Sequence, residues 1–137
     1  MKKIEHIGIA VKNLEQSISL FEKLLNTDCY KTETVESEAV ETAFFKTGEN
    51  KIELVADANL NAENGVINKF IGKRGEGIHH IAFDVDDIVA EMERLKKVGF
   101  ELLSDQPKQG ADNKLVCFLH PKKTNGVLIE LCQEQKK

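Results

Sequence analysis

The sequence has few cysteines, no long apolar run and no excess of basic residues. Its three cysteines, Cys29, Cys117 and Cys132, are odd in number and form no CxxC pair, so we expect reduced, packed thiols. No stretch is apolar over the length of a signal-peptide core or a membrane span, so we expect a cytoplasmic protein with no membrane partner. The net charge is -4 and no basic run contains interleaved aromatics, which argues against nucleic acid as a partner.

Two stretches of the sequence repeat one another, HIGIAV at 6–11 and HIAFDV at 80–85. Both alternate as strands do, and in each a histidine shares its face with small residues that leave space in front of it. The displacement of 74 positions continues through apolar residues at helical spacing. Each copy therefore predicts a strand and then an amphipathic helix, with Asn13 and either Asp86 or Asp87 as N-caps.

Strand-like runs follow both predicted helices. In the first half they cover 39–47 and 51–56, joined by three turn residues at 48–50; in the second they cover 114–120 and 126–133, separated by 121–125. Weaker strands are predicted at 28–34 and 101–104, a helix near 66–71 and a mobile loop at 106–113. Each half therefore predicts the order strand, helix, three strands.

The size and composition favour a single domain. The chain has 137 residues, of which 41% are hydrophobic and 31% charged, as in soluble globular proteins that bury about two thirds of their unfolded surface. We expect one domain over 1–137, with module one at about 1–56, a connecting arm at 57–77 and module two at about 78–137.

The last strand of each half contains one carboxylate among apolar neighbours, Glu53 in KIELV and Glu130 in VLIEL. Burying a carboxylate without a partner is unfavourable, and few cationic side chains lie in the candidate strands, so a divalent metal would remove the penalty. Together with His6 and His80, the two glutamates form a natural site for Zn, Co, Ni, Mn or Fe rather than for Ca or Mg. The alternative is half-buried strand histidines with glutamates on a solvated face.

A further carboxylate, Glu41, shares a predicted strand face with Ala39, Ala43 and Phe45. Small and apolar neighbours are typical of a general base, and they are equally compatible with a charge on an exposed sheet edge. The position 74 residues further on is Leu115, so the two halves differ here.

The chain resembles the vicinal oxygen chelate superfamily of glyoxalases, bleomycin resistance proteins and dioxygenases, and within it the methylmalonyl-CoA epimerase family. The resemblance covers nearly the whole chain and is carried by HIGIAV, AVETAFF, KIELV, GIHHIAFDVDDI at 77–88 and FLHPKKTNGVLIEL at 118–131. It implies an α+β fold in which two tandem βαβββ modules form a curved mixed sheet around a metal-binding cleft. It also favours a homodimer.

The resemblance implies metal ligands at His6, Glu53, His80 and Glu130, holding one divalent ion (Co, Mn, Zn or Ni). It implies an epimerase that interconverts the 2R and 2S forms of methylmalonyl-CoA, an acyl-CoA substrate, by removing the C2 proton and returning it through an enolate. Glu41 and Glu130 would be the two catalytic bases, one on each side of the intermediate. Glu41→Gln is then expected to retain metal and to lose exchange of the C2 proton.

Three other functions of the same fold compete with this one. Glyoxalase I (lactoylglutathione lyase) would use the same ligands for a proton shift on a glutathione hemithioacetal, and a glutamate at the position of Glu53 is also usual there. An extradiol dioxygenase needs two histidines and one carboxylate around Fe(II), so Glu53 counts against it. A non-catalytic small-molecule binding module of the same fold would need no metal.

Overall fold

The computed structural model describes residues 1–58 and 65–136, and residues 59–64 of the predicted connecting arm lie outside the described residues. The chain divides into two compact units, His6–His79 and the combination of Met1–Glu5 with His80–Lys137. Each unit contains one copy of the sequence repeat. The grouping of both into one domain stays a prediction.

The first copy folds as strand, helix and three strands. Its elements are β1 (Lys3–Ala10), α1 (Leu14–Leu25), β2 (Lys31–Val35), β3 (Val40–Thr47) and β4 (Asn50–Asp57), and α2 (Val66–Arg74) follows them. The strands lie in the order β2-β3-β4-β1, with β1 parallel to β4 and the other neighbours antiparallel.

The second copy repeats this layout. Its elements are β5 (Gly77–Asp84), α3 (Ile88–Lys97), β6 (Lys108–Gln109), β7 (Lys114–Leu119) and β8 (Ile129–Glu134). The strands lie in the order β5-β8-β7-β6, with β5 parallel to β8 and the other neighbours antiparallel. The prediction of an α+β fold made of two βαβββ modules is therefore confirmed.

The strand predicted at 101–104 is wrong. Among these described residues only Leu102 pairs, in an isolated bridge to Leu119. The short strand β6 lies instead inside the predicted loop 106–113, because the Gly110 N–H donates to the Lys114 carbonyl at 2.8 Å and folds the chain back onto β7.

The start of the last strand is also later than predicted. Strand β8 begins at Ile129 rather than at 126. A 3-10 turn at Pro121–Lys123 comes before it, and the Gly126 N–H donates to the Pro121 carbonyl at 2.8 Å. Residues whose backbone closes this turn cannot also pair with β7 in the ladder.

Helix α1 covers one face of its sheet. The Asn13 side chain accepts a hydrogen bond from the Gln16 N–H at 3.0 Å, which confirms the predicted N-cap, and the helix ends at Asn26 in the left-handed conformation. The partly buried side of α1 packs against a buried core made of Val11, Ala43, Phe45, Leu54 and Ala56. A fully buried side chain the size of Phe45 contributes roughly 1.5–3 kcal/mol to stability.

Helix α3 covers the corresponding face of the strands of the second copy. Of the two predicted N-caps it uses Asp87, whose side chain accepts from the Ala90 N–H at 3.1 Å. The buried residues of its core are Val85, Ile88, Met92, Leu95, Cys117, Leu119 and Leu131.

None of the helices within the described ranges is long and apolar enough to cross a membrane.

The β3–β4 hairpin has a turn one residue shorter than predicted. Thr47 pairs with Asn50, which leaves Gly48 and Glu49 as a two-residue turn, and Gly48 has a φ of 68° that suits glycine. A strand slip of one residue moves every side chain to the opposite sheet face. The turn length therefore decides which residues of β3 share a face with Glu53.

Helix α2 receives its N-terminal cap from the end of β4. The buried Asp57 carboxylate accepts hydrogen bonds from the Ile67 N–H at 3.1 Å and the Asn68 N–H at 2.7 Å. The N-cap residue itself is Gly65, and a Cβ atom there would collide with the Asp57 carboxylate. Glycine is required at 65 by this close approach.

We expect Gly65→Ala to lower the free energy of unfolding by about 1–2 kcal/mol, since the methyl group displaces the carboxylate that caps α2. Gly72→Ala is the matched control, because it lies in the same helix and its added Cβ meets no atom within 4 Å. It should raise stability by about 0.5–1 kcal/mol through helix propensity. Urea unfolding of both variants measures the difference, and equal effects would contradict this account of Gly65.

Candidate metal centre

The first unit contains a buried histidine–glutamate pair. In the parallel pairing of β1 with β4, Gly8 lies opposite Glu53, so the Glu53 side chain shares its sheet face with His6. The His6 Nε2 atom lies 3.4 Å from the Glu53 Oε1 atom, and the side chains are 6% and 8% exposed. Gly8 contributes no side chain to this face.

The second unit contains an equivalent pair. Ala82 of β5 lies opposite Glu130 of β8, as Gly8 lies opposite Glu53. The His80 Nε2 atom lies 3.3 Å from the Glu130 Oε1 atom, and the side chains are 5% and 7% exposed. The same pair geometry is therefore built twice by the sequence repeat.

Each glutamate has an aromatic neighbour on its other side. Phe44 of β3 pairs with Glu53, and Phe118 of β7 pairs with Glu130. Phe118 also meets the His80 ring edge-to-face, with the ring centroids 5.9 Å apart. Both carboxylates thus stand between a small residue and a phenylalanine.

The burial of the four side chains excludes the solvated alternative. Each of His6, Glu53, His80 and Glu130 is at most 6% exposed as a residue. Carboxylates this deeply buried are stable only beside a compensating charge or donor. The alternative in which the two glutamates lie on a solvated face is wrong.

The chemistry of the pairs fits a divalent ion. An ion that binds imidazole nitrogen and carboxylate oxygen at about 2.0–2.2 Å holds neighbouring ligand atoms about 3.0–3.5 Å apart. The separations of 3.4 Å and 3.3 Å fall in that range. Each pair can therefore supply two ligands of one ion without rearrangement.

The structure does not bring Glu41 to the face of the first pair. In the β3–β4 ladder Glu41 lies opposite Ala56, whereas Glu53 lies opposite Phe44. The face of Glu41 is that of Ala43 and Phe45, whose side chains pack in the core under α1. The residues of β3 on the His6 side are Val40, Thr42, Phe44 and Lys46.

Comparison with known proteins identifies the family. A family model described as the Glyoxalase/Bleomycin resistance protein/Dioxygenase superfamily matches residues 5–118. The chain belongs to this superfamily. The resemblance drawn from the sequence motifs is confirmed.

Three relatives are similar to this chain over nearly its whole length. The uncharacterized protein YqjC of Bacillus subtilis is 38% identical over 133 residues, covering 97% of this chain and 93% of YqjC. The ethylmalonyl-CoA/methylmalonyl-CoA epimerase of Cereibacter sphaeroides is 37% identical over 133 residues, covering 96% of this chain and 97% of its own. The crystallised methylmalonyl-CoA epimerase of Streptomyces coelicolor, a variant in complex with 2-nitronate-propionyl-CoA, is 31% identical, covers 98% and 95% of the two chains and has a TM-score of 0.91. The vicinal oxygen chelate fold is therefore confirmed.

Three buried ionisable residues in the described part of the chain were not predicted from the sequence. Glu5 and Asp57 are each 4% exposed, and Lys114 is 7% exposed. Glu5 precedes the repeated motif HIGIAV, at the position that corresponds to His79 in the second copy, and Lys114 begins a strand next to a predicted loop. Glu5 adds a carboxylate to the candidate metal ligands.

The cysteines are packed, as predicted. Burial, reinforced by the nearby charges of Glu130 and Glu5, raises the pKa of the Cys132 thiol far above its ordinary value, and burial also raises the pKa of Cys117. All three cysteines, including the partly buried Cys29, are free thiols. Cys117 and Cys132 are therefore uncharged and unreactive at neutral pH.

Residues next to the motifs have structural contacts of their own. His79, the neighbour of His80, packs edge-to-face on Phe70 of α2, with the ring centroids 4.9 Å apart. Lys122 forms an ion pair with Glu101 at 3.0 Å. The numbers of histidines and lysines in the sequence would not distinguish His79 and Lys122 from residues of the site.

Proposed function

We propose that the protein is a metal-dependent methylmalonyl-CoA epimerase that interconverts the 2R and 2S forms of its acyl-CoA substrate. The observation that carries the proposal is the buried histidine–glutamate pair at equivalent positions of both modules. Full-length similarity to proteins named as this epimerase, one of them in complex with 2-nitronate-propionyl-CoA, supports the choice of substrate.

In this proposal His6, Glu53, His80 and Glu130 together hold one divalent ion, which is Co, Mn, Zn or Ni. Two carboxylates balance its charge, and two imidazoles suit these metals better than Ca or Mg. When bound, the ion supplies Lewis-acid stabilisation of the negative charge that develops on the thioester oxygen as C2 is deprotonated. A histidinium–glutamate ion pair would have the same separation, so measured metal binding distinguishes the two.

The protein's own residues bind the substrate and move the proton. Gly8 and Ala82 lie opposite the two glutamates and put no large side chain beside the two histidines. The Glu130 carboxylate, buried beside Phe118, takes or returns the C2 proton on one side of the planar intermediate. The cytoplasmic location and the homodimer stay predictions.

The experiment that tests the proposal is deuterium uptake from D2O after reconstitution with each of the four metals. The protein is given methylmalonyl-CoA or the hemithioacetal of methylglyoxal and glutathione. Mass spectrometry is expected to show deuterium at C2 of the first and no isomerisation of the second. The reverse result would make the protein a glyoxalase I, and binding of either compound without exchange or isomerisation would make it a non-catalytic binding module.

A further inference from the structure

The strand pairing of the second copy determines which side chains share a sheet face with the His80–Glu130 pair. In the antiparallel ladder of β7 with β8, Phe118 lies opposite Glu130. Lys114, four residues earlier in β7, lies on the same face, because alternate side chains of a strand point to the same side. All four residues belong to the compact unit that contains the second copy. Lys114 is therefore a basic residue on the face of one histidine–glutamate pair.

Lys114 is buried there without a partner for its ammonium group. The residue is 7% exposed, and lysine is almost never buried this deeply unless its charge is paired. Among the described residues the Nζ atom has no ion pair or hydrogen bond, although the exposed Glu134 lies directly opposite Lys114 in the ladder. No fully buried side-chain N or O atom in the described ranges lacks a hydrogen bond, so this Nζ atom itself reaches accessible space. An anionic group bound at Lys114 would compensate the buried charge.

The charges of Lys114 and Glu130 both act on the Cys132 thiol. Cys132 is two residues from Glu130 in β8, and it lies diagonally across the ladder from Lys114. Burial and the charges of Glu130, Glu5 and Asp84 raise the pKa of this thiol, whereas the charge of Lys114 lowers it. Lys114 and Glu130 therefore lie within electrostatic range of the same buried atom, on either side of it along the strands.

We propose that Lys114 binds the free carboxylate of the acyl group and makes the site specific for acyl-CoA substrates that carry this second carboxyl group. The inference rests on the proposed epimerase function. An ammonium group has three donors and no acceptor, so Lys114 suits a charge-assisted hydrogen bond to a carboxylate and cannot be a metal ligand. Its place on the face of the His80–Glu130 pair favours the acyl end of the substrate over the phosphates at the other end. Lys114 is then a residue that determines specificity.

The test compares the binding of methylmalonyl-CoA with that of propionyl-CoA, which lacks only the free carboxylate. Isothermal titration calorimetry measures both dissociation constants on cobalt-loaded protein, and the cobalt content per chain is measured alongside. Lys114→Met is expected to bind methylmalonyl-CoA about 10–100-fold more weakly, as for the loss of a hydrogen bond to a charged group, and propionyl-CoA within about twofold of wild type. Lys114→Arg keeps the charge and should restore most of the preference for methylmalonyl-CoA.

Lys108→Met is the matched control. Lys108 lies opposite Val116 in the neighbouring strand β6, on the same face as Lys114, but it is exposed. Its loss should leave both dissociation constants within about twofold of wild type, because an exposed charge interacts weakly through water. Lys114→Gln is measured in the same way, so that the result does not depend on the folding of one variant.

Three results with the Lys114 variants would overturn the proposal. Equal weakening of both acyl-CoAs would make Lys114 a contact of the coenzyme A portion, and unchanged binding of both would make it a lysine with a solvated head group. Loss of cobalt together with binding would make it a counter-ion of the metal-site carboxylates. These results leave the proposed function standing, whereas a wild-type protein that exchanges no C2 proton of methylmalonyl-CoA with any metal would overturn the proposed function and this inference together.

Discussion

His6→Ala is expected to lose the divalent metal and the interconversion of the methylmalonyl-CoA epimers together, and His80→Ala is expected to do the same. Each imidazole is buried within 3.4 Å or 3.3 Å of the glutamate that would share its ion. Loss of a residue that only supports a ligand already lowers metal affinity by about 10–100-fold, so loss of a ligand should lower it by at least about 100-fold. Isothermal titration calorimetry with cobalt and zinc measures the metal affinity, and an assay of the epimerisation rate measures the loss of activity.

The control is His79→Ala. His79 is next to His80 in the sequence but packs against Phe70, so its loss should change stability and leave metal affinity within a few-fold of wild type. Equal metal affinity in His6→Ala and wild type would contradict the ligand assignment. So would a large loss confined to only one of the two histidine variants.

Glu130→Gln is expected to lower kcat for epimerisation by about 10²–10⁴-fold, which is the range for removing a general base. An amide can still bind the ion through its oxygen, but it cannot accept the C2 proton. Metal content should therefore stay near that of wild type while deuterium uptake from one epimer disappears. Mass spectrometry of samples quenched at set times, starting from each epimer in D2O, measures the loss.

Glu134→Gln is the matched control for that variant. Glu134 lies on the same face of β8, four residues further along, but it is exposed at the end of the strand. Removing its charge should leave kcat within about twofold of wild type, because exposed charges interact weakly through water. Turnover of Glu130→Gln within tenfold of wild type would remove Glu130 from the proton-transfer steps.

The repeat made most of the fold predictable from the sequence. Two strand–helix motifs displaced by 74 positions predicted the histidine positions, the helices, the N-cap at Asn13 and a second N-cap at Asp86 or Asp87, of which the structure uses Asp87. The burial of Glu53 and Glu130 could also be predicted, because apolar neighbours flank both residues in their strands. Periodicity reports such local alternation reliably when the pattern occurs twice.

The position of Glu41 relative to Glu53 could not be predicted in the same way. Which faces of two paired strands coincide depends on the number of residues in the turn between them. A three-residue turn at 48–50 would place Glu41 on the face of Glu53, and the observed two-residue turn at Gly48 and Glu49 places it on the other. One residue of turn length thus decides which sheet face Glu41 occupies.

The strands flanking the second hairpin were mispredicted for a related reason. Leu102 and Leu103 look like part of a strand, yet one isolated bridge is all that forms there among the described residues. Backbone hydrogen bonds of the Gly110 and Gly126 N–H groups, to the carbonyls of Lys114 and Pro121, close turns next to β6 and β8. Such turn closures have no periodic signal in the sequence.

Anomalous diffraction from crystals of the cobalt-loaded protein tests the proposed metal centre most directly. A single cobalt peak per chain is expected, within bonding distance of both imidazoles and both paired glutamates. Three results would contradict a shared ion and the carbon-acid chemistry assigned to it. They are two separate peaks, a peak bonded to other side chains, and no peak in crystals soaked in excess cobalt.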